Sequence, residues 1–485
     1  MCNSTTTGEI STFGWDTAFA VRIENVNAAI VSQKSSPAGF SFTDPADAQV
    51  HCSGTFGDWQ VVRGGDGSGV NVQLPLLNIS GQMKDNDGYV PYTCAGASII
   101  VTVRLTYFDT GQPNEQNLKV KPTSDTPDVP VVELYSADFS QHPVQPSYAL
   151  YAIQAAVMNW CADNLADFEH IFSVIDINDE ADTGAWSFLK PTAVSYAYVD
   201  GETDADAFLG VLAMTTGSPS GGLQQVLDTR IVQASEEGAF CISRGLLLSK
   251  LILPNLMALW PNLQATQISV LDDCIKLNPN QSVDLPQTEY QGNTYTPQLK
   301  QFTLSIEGQQ VTIDAYTETD VQDGVTAWCR NVAQYTLVKS TNKSGQTTLA
   351  YEQLGEPQTS NGHYIAEWVE ITDAILAVVL GVALAALAIV TGGAAVPIIA
   401  VIGALIVGAV ALSPTIDGMI QNNDAPAIDL LQENIYAPIV WTDSQAFAVS
   451  SVDLNGSLRL GGALGFSALR QILANQQPLN ALQAC

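Results

Sequence analysis

Four histidines, His51, His142, His170 and His363, and several acidic runs are the side chains that could do chemistry in this chain. Neither group reads as an enzyme. No H-E-x-x-H places two imidazoles one helical turn apart for a metal, and no G-x-S-x-G elbow presents a serine. The glycines of Gly64–Gly69 follow neither a P-loop nor a dinucleotide fingerprint. His170, in FEHIFS at a helix end, has no nucleophile close in sequence and reads as a packed or capping residue. The loops DINDEAD (Asp176–Asp182) and DGETDAD (Asp200–Asp206) and the turn Asp85–Gly88 gather carboxylates. Calcium takes six to eight oxygens and the EF-hand spacing is absent, so these read as solvated turns, with calcium as the alternative. The eight cysteines are widely spaced without a C-x-x-C, which argues against zinc and for mostly reduced core thiols. The expectation is a protein with no catalytic residues, no metal and no cofactor.

Charge narrows the partners. Asp and Glu number 49 against 18 Lys and Arg, a formal charge of −31, while only 14% of the 485 residues are charged. Such a field repels phosphate backbones, which excludes nucleic acid, and repels anionic membranes unless the acids are neutralised. A partner with a basic face is compatible. The N-terminus lacks a basic segment followed by an apolar one, so no signal peptide is visible. A cytoplasmic start is the default, and export by a signal-independent route stays open.

The elements that must position any site alternate in type. Strands are expected at Phe19–Ile23, Thr55–Val62, Asn71–Ile79, Ala97–Phe108, Thr192–Val199 and Ala207–Thr216, with period-two alternation at Thr55–Val62 and Ala97–Phe108. They return at Leu299–Glu307, Gln310–Glu318, Val325–Ser340, Gln346–Glu352 and Ala446–Leu460. A short helix is expected at Glu24–Val31 and a last one near Gly465–Asn475. Between the strands lie long apolar helices. Ser147–Phe172 is expected to bury Tyr148, Tyr151, Ala155, Met158, Cys161, Leu165 and Phe168, and Ala239–Trp260 should kink at Pro254. From Ala374 to Ile416 no side chain is charged. The run breaks at Thr391–Pro397 into two arms of about 16 residues, short of the roughly 20 that span a bilayer and without basic anchors. It reads as a helical hairpin (374–412) packed within protein, with conditional membrane insertion or a protein interface as alternatives.

Several segments resemble a known family. FGWDTAFAV with VNAAI, FEHIFSVIDIN (Phe168–Asn178) leading to WSFLKPTAVSYAYVD (Trp186–Asp200), FLGVLAMTT (Phe208–Thr216) and AFCISRGLLLSKLILPNL (Ala239–Leu256) are similar to the OrfX and forty-seven-kilodalton proteins encoded beside clostridial neurotoxins. The likeness is densest from Phe13 to Leu263. It implies an α+β, TULIP-like (tubular lipid-binding) fold of strongly bent antiparallel sheets wrapped around long apolar helices. Two cooperating halves are expected, residues 1–270 and 271–485. It also implies a non-enzymatic toxin-cluster accessory that binds lipid or another hydrophobic ligand. The alternatives are a toxin-complex scaffold or chaperone without lipid, and a membrane-perturbing effector using the 374–412 hairpin. In the second helix apolar residues cover nearly the whole circumference. Leu246, Leu247, Leu251, Ile252, Leu256 and Leu259 are the expected lipid contacts, core packing without ligand being the other reading of them.

Overall fold

Apolar residues recurring at every second position build antiparallel sheet through most of this chain. The computed structural model describes residues 8–86, 88–112, 114–124, 129–176, 187–215, 220–370, 372–391, 438–445 and 447–466. Among these the architecture is α+β, with four antiparallel sheets, a two-stranded ribbon and few helices.

The first sheet has the order Pro191–Val199, Phe208–Thr215, Thr17–Arg22, Gly238–Ile242, Ser457–Ala463, Ala448–Asn455. Three of its central strands are buried on both faces. Phe19, Val21, Leu209, Val211, Phe240 and Ile242 face the main core. Their neighbours Ala18, Ala20, Phe208, Leu212, Ala239 and Cys241 face a smaller core shared with Trp15 and Ile231. A second sheet is built on the 17-residue strand Gly69–Asp85, and a third pairs Ser173–Asp176 with Glu115–Val120 and Ile439–Trp441. The fourth and largest holds the long hairpins Gln298–Glu307, Gln310–Gln322 and Val325–Thr341. Late strands complete early sheets: Ser457–Ala463 pairs Gly238–Ile242, and Ile439–Trp441 pairs Ser173–Asp176. One main core therefore contains residues from Phe19 to Phe466 and includes side chains from both sides of position 270.

Helix α1 (Ile23–Gln33) follows the first strand directly. Helix α2 (Ala149–Asn164) buries Ala149, Ile153, Ala156, Val157, Trp160 and Cys161. The expected stripe holds at Cys161, Leu165 and Phe168, which are buried, and is corrected at its start, where Tyr151 is 69% exposed and Tyr148, also exposed, donates its hydroxyl to Asp85 at 2.6 Å. The segment is apolar on most sides, so periodicity alone does not choose the buried stripe. Small alanines let the helix approach the sheet, and the phenolic hydroxyls turn toward solvent.

Three expected elements divide. Ala97–Phe108 becomes two strands, Ala97–Val103 and Leu105–Asp109. Thr55–Val62 breaks between Asp47–Phe56 and Gln60–Asp66. Ala446–Leu460 becomes a hairpin turning at Gly456, whose φ of 76° favours glycine. The expected helix from Ala239 instead begins as the strand Gly238–Ile242, and the helical part, α3, starts at Arg244. Helix α4 (Asp373–Thr391) is the first arm of the uncharged hairpin. The second arm and most of the last expected helix lie outside the described residues.

Candidate functional site

Helix α3 forms where Gly238–Ile242, the fourth strand in the order of the first sheet, ends. Ser243 stays extended and its Oγ accepts from the Leu246 amide at 3.3 Å, an N-cap that launches the helix. The helical run is assembled from Arg244–Leu246, a π turn at Leu247–Ile252 and Leu253–Leu259. Pro254 lacks an N–H and its ring crowds the preceding turn. The distortion expected there takes the form of the π turn, in which the Leu253 amide reaches back to Leu248 O. Asn255 donates its side-chain amide to Leu251 O at 2.7 Å inside the core.

The expected ligand-contact residues converge on this helix. Leu246, Leu247, Leu251, Ile252 and Leu256 are no more than 4% exposed and belong to the main core. Trp260 closes the helix end edge-on to Phe302 at 5.1 Å. The side chain of Leu259 lies outside the described residues. Surface clefts of about 550, 600, 510 and 630 Å³ occur. Leu246 lines the first of these with Trp15, Arg244 and Lys250, while Leu247, Leu251, Ile252 and Leu256 line none of the four.

The helix start is pinned by charges that sequence reasoning missed. Arg244 pairs with Glu9 and donates to Gly456 O at 3.2 Å, while Glu9 accepts from the Gly308 amide at 2.6 Å. Beside it, Arg459 bonds Glu236 at 2.5 Å and also reaches Asp453. Arg230 holds Asp228 at 2.6 Å, and Arg22 donates to Glu236 O at 2.6 Å while lying over the Phe208 ring. Arg230 also donates to Glu9 O, so four of the 18 basic residues tie the N-terminal segment, α3 and the late strands together. Arg230 and its hydrogen bonds hold the Asp228 carboxyl below its ordinary range despite the opposing effect of burial. The signal was present: Arg22 and Arg459 sit inside otherwise apolar strand runs, FAVRI and LRLGG.

His170 is fully buried between Phe168 and Phe172, with Nδ1 3.0 Å from Ser35 Oγ. Its Nε2 has no partner among the described residues. Desolvation drives its pKa down to about 4, only partly opposed by the Asp443 charge. A serine beside a histidine suggests a nucleophile and base, but this pair lines none of the four clefts and the ring is closed in by phenyl groups. It is a packed histidine. Burial likewise pushes the Cys52 and Cys329 thiols up to about 11 and Cys161 up to about 12, so they stay protonated at neutral pH. Cys274 is disulfide-bonded.

The acidic loops are engaged by protein donors. Asp200 accepts from Tyr198 at 3.0 Å and from the Gly64 amide at 3.2 Å, and Asp206 accepts from Thr203 at 2.7 Å. Among the described residues no group of three or more His, Cys, Asp or Glu could hold a metal ion. Residues 177–182 of the first acidic loop lie outside them.

These sheets, with one core reaching from the first strand to the last, define a sheet-dominated α+β protein built around buried apolar and ionic contacts. The chain belongs to the OrfX-like family: the family model described as protein OrfX2/OrfX3/P47 matches residues 12–462. Protein OrfX3 of Paraclostridium bifermentans is 34% identical over 491 positions, covering 94% of this chain and 99% of that one. Protein OrfX3 of Clostridium botulinum (strain Kyoto / Type A2) is 27% identical with the same coverage. Among solved structures, P47 from C. botulinum A2 superposes with a TM-score of 0.65 at 17% identity, covering 94% of this chain and 99% of that one. P47 of C. botulinum E1 gives 0.63 at 16%, covering 93% and 100%.

Proposed function

We propose that the chain is a non-enzymatic accessory of a toxin gene cluster that binds lipid or another hydrophobic ligand. In this reading the sheets wrap α3 in a TULIP-like manner, and Leu246, Leu247, Leu251, Ile252, Leu256 and Leu259 form the ligand-contact surface. The supporting observation is a helix apolar over most of its circumference and packed into the main core, with Leu246 where that core meets a surface cleft. A core at native density has no room for an acyl chain, so uptake displaces packed side chains. The π turn, with its irregular backbone bonding, is the segment of α3 suited to that movement. A scaffold or chaperone without lipid keeps the same helix packed throughout. Lipid mass spectrometry of the organic extract of purified protein separates the two, since a carrier retains its ligand.

A second reading rests on α4. Val379, Val382 and Ala383 pack against Val325, Ala327 and Cys329, leaving Leu380 (49% exposed) and Leu384 (47%) on the outer face. Glu367, Glu370 and Asp373 precede them and repel lipid until protonated. No helix among the described residues is long and apolar enough to cross a membrane, so this is a face laid on lipid. Acidified phosphatidylcholine liposomes are then expected to leak in the presence of the chain, and less with Leu380→Asp/Leu384→Asp. Absence of leakage at both neutral and acidic pH removes this reading.

A further inference from the structure

The outer face of the fourth sheet carries an aromatic platform that the ligand-carrying reading leaves unused. Tyr316, Trp328 and Tyr364 come from three adjacent strands, Gln310–Gln322, Val325–Thr341 and Gln358–Ile365. Register sets Trp328 opposite Glu318 on one side and Gly362 on the other, while Tyr316 opposes Arg330 and Tyr364 opposes Thr326. The Trp328 ring centroid lies 6.1 Å from that of Tyr316 and 6.5 Å from that of Tyr364, with interplanar angles of 33° and 35°. The two tyrosine hydroxyls meet at 3.0 Å, and Tyr316 also donates to Glu318 at 3.0 Å. Gly362 makes the arrangement possible. A Cβ there would stand 2.6 Å from the indole, so only glycine lets Trp328 rest against the neighbouring backbone. Tyr364 remains more than half exposed and Trp328 partly so.

The polar groups around the rings select the ligand. Glu318 and Asp320 offer acceptors, and Arg330, bonded to Asp314 at 2.6 Å, offers remaining donors. Rings tilted by about a third of a right angle form a shallow floor rather than the walls of a box, which disfavours an enclosed quaternary ammonium. Carboxylates at its edge, in a chain of charge −31, repel sulfated, sialylated or phosphorylated ligands. A neutral sugar satisfies all three conditions: its C–H face stacks on a ring, and its hydroxyls meet carboxylates and guanidinium.

We propose that the Tyr316–Trp328–Tyr364 face binds a neutral oligosaccharide, with Trp328 as the main stacking surface. Equatorially substituted β-linked sugars present the flattest C–H faces and are the class expected to bind. The test uses the full chain on an array of neutral and anionic glycans, followed by calorimetric titration with cellotetraose and chitotetraose. Saturable binding to at least one of these sugars is expected, weakened at least tenfold by Trp328→Ala and by Tyr364→Ala in proteins that unfold at the wild-type midpoint. Tyr364 is a surface residue, so its removal leaves the core intact. Retention of no neutral glycan, retention of anionic glycans alone, or unchanged affinity in both variants overturns the proposal.

Discussion

Replacing Arg459 with methionine is expected to destabilise the chain by about 3–5 kcal/mol, the cost of leaving a buried charge without its counter-ion. Arg459 is fully buried, and Glu236, also buried, meets it at 2.5 Å. Glu236 accepts in addition from the Gln233 amide at 2.8 Å and from Ser451. Removing the guanidinium strands Glu236 and withdraws a partner of Asp453 on the hairpin that completes the first sheet. A neutral partner restores part of the loss, so Arg459→Met with Glu236→Gln should be more stable than Arg459→Met alone. Urea unfolding midpoints read both effects. A single variant as stable as wild type would show that the network does not hold the late hairpin to the sheet.

Acidification is expected to weaken the fold through His170. Its folded pKa of about 4 lies below the ordinary 6.5, so the unfolded chain takes up a proton that the native ring resists. The neutral ring's contribution is therefore complete above about pH 6.5, falls as pH drops through that value, and is spent by about pH 4. The difference corresponds to about 3 kcal/mol. Carboxylates titrate over the same range, so the informative quantity is the difference between wild type and His170→Gln. The variant should lose less stability than wild type between about pH 7 and pH 4.5. Equal losses in the two proteins would mean that His170 does not titrate across unfolding. The strand Ile439–Trp441, followed by Thr442 whose amide donates to Phe172 O at 3.2 Å, is the element closest to any loosening, because Phe172 packs edge-on to the imidazole at 4.8 Å.

Much of the fold was legible because period two survives wherever one face of a strand is buried. Pro191–Val199, Gln298–Glu307 and Val325–Thr341 lie within a residue or so of their expected spans. Two-sided burial did not hide Thr17–Arg22 or Phe208–Thr215, but it did hide a boundary where such a strand joins an apolar helix. Gly238–Ile242 is buried on both faces and runs straight into α3, so nothing in its hydrophobicity separates strand from helix. Helix α2 was found, but the first half of its buried stripe was misread, because the segment is apolar on most sides. The strands Ile268–Leu271 and Thr288–Tyr290 are too short to show a period, and the exposed strand Gln358–Ile365 carries too few apolar residues. At the site, the apolar character of α3 was plain, whereas the ionic cluster at its start depends on residues far apart in sequence, such as Glu9 with Arg244 and Glu236 with Arg459. Pairings of that kind arise only from the sheet order.

Whether α3 ever gives up its packing to a ligand is decided most directly by what the protein carries. Purified chain, extracted with organic solvent and examined by lipid mass spectrometry, is expected to yield a reproducible lipid species in roughly stoichiometric amount, diminished in Leu251→Trp, which fills core volume beside Leu247 and Leu256. An extract with no lipid above the background of an unrelated protein purified from the same host would contradict ligand binding along α3 and leave the helix as core alone.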